Sequence, residues 1–201
     1  MNKKLIIALI SLLVSTNIFS QVMVEPKINI ALAAVAIANP AIEFSVSQRS
    51  AVQLEFFGSF HPRNFLGSGN PFIATVGYAE YHYYIRDNFK GFYFGGTMGC
   101  GNWKMNRSQI LVGYGNPTGN YDLGYSLIMG LNLGYKFLIK ERWGIDINLG
   151  GGWVHSLHES YNKHGILVNK MNGSDEFLPF KGGIYISYRL GGKKDNNKKT
   201  K

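Results

Sequence analysis

The chain has 201 residues, a formal net charge of +9, and only 16% charged residues against 45% hydrophobic ones. Lys3 and Lys4 contribute +2, and the tail 191–201, with five lysines and Asp195, contributes +4, which leaves +3 on the body. So small a charge excludes a surface that tracks nucleic-acid phosphates, and no nucleic-acid partner is expected.

The N-terminus has the pattern of a secretory signal peptide. Lys3 and Lys4 precede an apolar run from Leu5 to Val14, and Ile18-Phe19-Ser20 is a suitable cleavage site before Gln21. The run is shorter than the roughly 20 residues that a helix needs to cross a bilayer. We therefore expect residues 1–20 to be a leader that directs export.

Eight segments of the mature chain alternate apolar and polar residues with a period of two, the pattern of strands that have one apolar and one polar face. In the clearest segment, Val52 and Leu54 share one face while Gln53 and Glu55 share the other. In chain order the segments are Lys27–Val35, Ala41–Ser47, Ala51–Phe60, Phe72–Arg86, Gly91–Gly101, Tyr125–Phe137, Trp143–His155 and Phe180–Leu190.

Strands of about 9 to 11 residues with this alternation are typical of the smallest outer-membrane barrels. The predicted fold is all-β: an eight-stranded antiparallel up-and-down transmembrane β-barrel over residues 21–190. The lysine-rich segment 191–201 is predicted to be a disordered basic tail on the periplasmic side.

Connections of different length support this prediction. Short turns at Gln48–Ser50, Asp87–Lys90 and Lys140–Arg142 alternate with long connections at His61–Pro71, Asn102–Asp122 and Ser156–Pro179. One further outer connection, Ala36–Pro40, is short. Periplasmic turns are short and extracellular loops are long in such barrels, so both termini are expected in the periplasm.

Charged residues on the polar faces are expected to meet inside the barrel. Groups enclosed away from water persist only when they are paired, so we predict a salt-bridged interior rather than a diffusion pore. The predicted network comprises Glu43, Glu55, Glu80, His82, Arg86, Lys136, Asp146, Lys181 and Arg189. On the outer face, aromatic girdles are predicted from Phe56, Phe60, Tyr81, Tyr83, Phe92, Tyr135, Phe137, Trp153 and Tyr188.

Several short motifs, in this order and spacing, resemble a family of small Gram-negative outer-membrane proteins that is catalogued only as a domain of unknown function, DUF3575. The matching pieces are Lys27-Ile28-Asn29, Asn39 with Ala41-Ile42-Glu43, His61-Pro62, Glu80 with His82-Tyr83, Gly91 to Gly95, and Arg142-Trp143 through Asp146 to Gly150, Gly152 and Trp153. The resemblance implies an outer-membrane location without an established activity, and a link to the assembly of surface fimbriae.

The best enzymatic candidate is His158-Glu159-Ser160. Some eight-stranded barrels remove lipid A acyl chains with a serine, a histidine and a carboxylate, which here would be Asp175 or Glu176. Strand parity places His158 on the polar inner face or in a loop, whereas this chemistry needs access to lipid. We therefore predict no catalytic residues.

Other residues that often carry chemistry are better explained by the barrel. His61, His155, His158 and His164 lie near predicted outer connections, but a zinc site needs three or four converging ligands. The run Gly150-Gly151-Gly152 lacks the lysine and helix of a phosphate loop. Cys100 has no second cysteine to pair with and is expected on the barrel wall. No metal and no cofactor are predicted.

The resulting functional prediction is a non-enzymatic monomer in the outer membrane. Its partners would be membrane lipid and envelope or surface proteins that meet its longer loops, Asn102–Asp122 and Ser156–Pro179. The alternatives are a lipid A-modifying hydrolase that uses His158 and a soluble lipocalin-like carrier with an apolar interior.

Overall fold

The computed structural model describes residues 23–86, 89–106, 119–140 and 142–190. The predicted leader and the predicted basic tail lie outside these residues. The strands are β1 Val24–Asn29, β2 Pro40–Ser45, β3 Ser50–His61, β4 Phe72–Tyr84, β5 Gly91–Met105, β6 Tyr121–Ile139, β7 Trp143–Tyr161 and β8 Leu167–Tyr188. A short helix α1, Ile30–Ala33, follows β1, and a single 3-10 turn, Phe65–Gly67, precedes β4.

Every strand pairs antiparallel with the strand that follows it, and β8 pairs with β1, so the sheet closes into a barrel. The predicted eight-stranded up-and-down fold is confirmed. Within the described ranges, no helix has the length and apolar character needed to cross a bilayer.

The strands are tilted, as the register shows. Following paired residues from Lys27 around the wall leads to Glu176 on β8, whereas Lys27 itself pairs with Ser187. A closed sheet with such an offset must have inclined strands, and eight of them enclose a space that side chains can fill.

The first strand ends earlier than predicted. Instead of continuing to Val35, β1 stops at Asn29, whose side-chain Oδ1 accepts a hydrogen bond from the Leu32 N–H at 3.3 Å and caps α1. The alanine-rich sequence that follows favours a helical turn over an extended strand. The connection then returns to the wall, where Ala38 pairs with Gly58 of β3.

The third long connection was also predicted wrongly. Residues 156–179 do not form a loop, because β7 runs on to Tyr161 and β8 begins at Leu167. Asn162 explains the tight turn between them, since its side chain accepts hydrogen bonds from the N–H groups of His164 and Ile166, both at 2.9 Å. Gly165 supplies the left-handed backbone conformation, with φ of 76°.

The strands become longer on going round the barrel from β1 to β8. β1 and β2 have six residues each, β6 and β7 have 19, and β8 has 22. The short turns lie together at one end, so the extra length projects at the other end. The side of the wall formed by β6, β7 and β8 therefore stands above the short strands β1 and β2.

The two faces follow the predicted alternation. The large hydrophobic side chains that remain exposed include Leu54, Phe92, Met98, Leu131 and Leu149 on four different strands. None of the nine predicted girdle aromatics is buried. Cys100 is also exposed on β5. The apolar surface faces outward and the charged residues face inward, the reverse of a water-soluble barrel.

Candidate functional site: the buried charge network

Side chains from all eight strands fill the interior in layers. Near the short turns lies an apolar cluster of Met23, Ala51, Tyr84, Phe89 and Tyr93. A charged layer follows, and above it Tyr78, Ile128 and Val154 form a second apolar cluster. Toward the tall end, Ser126 accepts a hydrogen bond from the Trp103 indole at 2.7 Å and contacts Ser156 at 2.7 Å.

The lower half of the charged layer is organised around two lysines. Lys27 Nζ lies 2.6 Å from Asp146 Oδ2 and 2.9 Å from Glu43 Oε2. Lys136 pairs with Glu25 at 2.8 Å and also with Glu43. Each lysine thus bridges two carboxylates that belong to different strands.

The upper half repeats the arrangement with a third lysine. Lys181 Nζ lies 2.5 Å from Glu55 Oε2 and also pairs with Glu80. Gln53 donates to Glu55 at 2.9 Å, and Asn132 donates to Glu80 at 3.0 Å. The pair of carboxylates is therefore held from several sides.

His82 joins the two halves. Its Nδ1 lies 2.9 Å from Glu43 and its Nε2 lies 2.8 Å from Glu80. Because a carboxylate only accepts hydrogen bonds, both ring nitrogens must donate, and His82 acts as a cation in this arrangement. Five carboxylates are then matched by Lys27, Lys136, Lys181, Arg189 and His82.

Neutral groups satisfy the remaining carboxylate oxygens. Tyr84 donates to Glu43 at 2.7 Å and Tyr93 donates to Asp146 at 2.8 Å. Tyr185 and Asn39 both donate to Glu55 at 2.9 Å. Charges buried to this extent are tolerated because they are paired and hydrogen-bonded at once.

The structure places most of the predicted network residues together and excludes one. Glu43, Glu55, Glu80, His82, Lys136, Asp146 and Lys181 are all buried in the charged layer. Arg189 lies at its lower boundary, half-buried, with Nε 2.7 Å from Glu25. The assignment of Arg86 was wrong: β4 ends at Tyr84, so the alternation stops before Arg86, and this residue is exposed.

The prediction from the sequence omitted two charged residues of the network, Lys27 and Glu25. Lys27 shares the inward parity of Asn29, and that parity alone would have found it. Glu25 precedes the predicted start of the first strand, so no periodic pattern covered it. Both are less than 5% exposed.

The structure gives His158, Glu159 and Asp175 different partners. His158 is buried inside the barrel beside Trp103, with ring centroids 5.9 Å apart and the two rings tilted by 36°. Glu159 accepts a hydrogen bond from Tyr161 at 2.7 Å. Asp175 contacts His155 at 2.8 Å at an exposed position, and not His158.

The other histidines are dispersed. His61 contacts Ser59 at 3.1 Å and packs against the Phe65 ring, while His164 lies exposed in the β7–β8 turn. Within the described part of the chain, no three histidine, cysteine or acidic side chains come together as a metal site. The run Gly150-Gly151-Gly152 lies within strand β7.

The charge network connects strands that lie far apart around the wall. Its members lie between two apolar clusters, and each lysine is occupied by two carboxylates. Such a network links strands of the wall across the interior.

Comparison with known proteins gives one match. No curated protein and no solved structure matches this chain. The family model described as protein of unknown function (DUF3575) matches residues 5–190, nearly the whole chain. The predicted resemblance is therefore confirmed, and the chain belongs to the DUF3575 family of unknown function.

Proposed function

We propose that this protein is a non-enzymatic outer-membrane β-barrel that presents its tall β7–β8 hairpin to surface or envelope partners. The observation that carries the proposal is the reversed polarity of the barrel. Large hydrophobic side chains cover the outer wall while six carboxylates and three lysines are buried inside. Lipid is the solvent that stabilises such an arrangement.

The hairpin supports the second half of the proposal. Its exposed apolar side chains Ile166, Leu167, Val168 and Met171 stand beyond the ends of the shorter strands. Clustered exposed apolar residues on a projecting element are typical of protein interaction sites. With the short turns in the periplasm, this hairpin lies on the cell surface.

Two alternatives have less support. A lipocalin-like carrier needs an apolar ligand cavity, whereas the middle of this barrel carries the charge network. A lipid A-modifying hydrolase needs its histidine, serine and carboxylate to meet near lipid, whereas His158 is enclosed and Asp175 pairs with His155.

The placement is tested by fractionation and by surface labelling. The exported protein should stay in outer membranes after high-salt and carbonate washing. An epitope inserted between Lys163 and His164 should bind antibody on intact cells, and one inserted between Lys140 and Glu141 should bind only after permeabilisation. Release by carbonate, or labelling of the second epitope alone on intact cells, contradicts the proposed placement.

The lack of enzymatic activity is tested separately. Purified protein and its Ser160→Ala variant should leave lipid A equally intact when acyl release is followed by mass spectrometry. Acyl release that disappears in Ser160→Ala favours the hydrolase instead.

The role of the hairpin is tested by shortening it. Replacement of residues 157–173 by a tight Asn-Gly turn connects the paired residues Ser156 and Ser174, removes the projecting part and leaves the lower barrel unchanged. Envelope proteins that co-purify with the intact barrel from detergent extracts should be lost with the shortened one. Equal recovery of the same proteins by both forms contradicts the role of the hairpin.

A further inference from the structure

An apolar groove of about 530 Å³ crosses the outer surface of β5, β6, β7 and β8. Its sides include Phe94, Leu131, Leu149 and Phe177, and no charged residue lines it. Phe177 and Leu131 are 84% and 73% exposed, the highest values among the exposed large hydrophobic residues. The two most exposed of these hydrophobic side chains therefore line the same groove.

The groove forms because a β-bulge in β8 directs the Lys181 side chain into the interior. A β-bulge pairs Gly150 with Lys181 and Gly151 with Pro179, so Phe180 is an extra residue. Phe180 stacks on Tyr78 inside the barrel, and the next residue, Lys181, also points inward to Glu55. Two consecutive inward side chains leave the outer surface without one at this place.

Glycine keeps the floor of the groove open. A Cβ atom at Gly151 would lie 3.2 Å from the Leu178 carbonyl oxygen and 3.6 Å from Pro179 Cα, so the wall leaves nearly enough room for a side chain there. Any larger side chain at Gly151 would project into the groove. The groove is therefore open because residue 151 is glycine, and not because neighbouring atoms exclude a side chain from this position.

The groove ends at an edge suited to hydrocarbon. Among the described residues, β8 pairs with β1 only at Tyr185, Ile186 and Ser187, so Pro179 lies where β8 has no strand on that side. Proline has no N–H group to leave without a partner, which matters where no water is present.

We propose that the groove binds one acyl chain of a membrane lipid. This inference rests on the proposed membrane location, since the groove is continuous with the apolar outer wall. At roughly 30 Å³ for each methylene, about the volume of one water, the groove has space for about 17 methylenes, the size of one long chain. An empty groove would leave its lining without these van der Waals contacts, whereas a chain lying in the groove contacts side chains from β5, β6, β7 and β8 at once.

The test counts bound lipids on the purified full-length barrel by native mass spectrometry, in detergent with added 1-palmitoyl-2-oleoyl phosphatidylethanolamine. The wild type should retain one lipid. Gly151→Leu fills the floor and Phe177→Ala removes an exposed wall, and each should weaken retention by about tenfold or more, since every buried methylene contributes to binding. Phe177→Ala serves as the second variant because its side chain supports little of the fold.

Gly77→Leu is the matched control. Gly77 lies outside the groove on β4, and nothing lies within 4 Å of its added Cβ. This variant should retain lipid like the wild type. Equal retention by all four proteins, or none by the wild type, overturns the groove site. A wild-type mass of two barrels that Gly151→Leu reduces to one also overturns it, because a second copy would then be the occupant.

Flotation with phosphatidylethanolamine vesicles separates this site from the proposed membrane location. Protein that floats but retains no lipid in detergent overturns the groove and leaves the membrane proposal standing. Protein that retains one lipid but does not float overturns the membrane proposal and leaves the groove.

Discussion

At the scale of single residues, the barrel depends on charges that cannot be removed one at a time. Lys181 pairs with both Glu55 and Glu80, and its side chain is 2% exposed. Removing one partner of a buried ion pair leaves an uncompensated charge, which costs far more than the pair contributes as a whole.

We therefore expect Lys181→Met to destabilise the barrel by about 3 to 5 kcal/mol. The measurement is the free energy of unfolding in urea, followed by tryptophan fluorescence of the refolded protein. Lys140→Met, at an exposed turn, should change it by less than about 0.5 kcal/mol. A Lys181→Met variant as stable as the wild type contradicts a structural role of the network.

At the scale of elements, a hydrogen-bonded junction of β1, α1 and β8 lies where the short strands β1 and β2 do not continue the wall. Asn29 caps α1 and donates to Asn39 at 2.9 Å, and the Tyr185 hydroxyl, shared with Glu55, lies 2.9 Å from Asn39 Oδ1. The pair Asn29 and Asn39 thus links the C-terminal end of β1 to β8. Gly183 faces this pair, and a Cβ there would lie 2.7 Å from Asn29 Cγ.

Gly183→Ala should destabilise the barrel by roughly 1 to 3 kcal/mol, because Asn29 is fully buried and cannot move aside. Gly182→Ala is the control, since its Cβ would meet only Leu149 Cδ1 at 3.5 Å and Asn148 O at 3.9 Å. Both are compared by urea unfolding. Equal stability of the two variants contradicts the assigned role of this junction.

At the scale of the whole molecule, the solvent around each exposed hydrophobic residue decides what a charge would do there. Met129 on the middle of the wall is 54% exposed and Ile166 on the hairpin turn is 62% exposed. In water the two positions would tolerate a charge equally. In a membrane barrel only the first meets hydrocarbon.

Met129→Arg should therefore lower the stability of the vesicle-inserted barrel by about 2 to 4 kcal/mol, whereas Ile166→Arg should have little effect. The measurement is urea unfolding in vesicles. Equal small effects of both variants would place water, and not lipid, at the outer wall.

The period-two pattern by itself determined the strand number, the all-β class and which face is apolar. Each strand alternates with the pleat, and the pattern can be read without knowing the neighbours. It also identified seven of the buried network residues, such as Glu80 and Asp146, because inward parity is a local property.

Tertiary structure decided the features that depend on contacts between strands distant in the chain. The capped end of β1 at Asn29, the extension of β8 to Leu167 and the exposed position of Arg86 each depend on where pairing begins or stops, which periodicity does not encode. The groove likewise exists only because a bulge opposite Gly150 turns Phe180 and Lys181 inward together, and a bulge is set by the register between two strands.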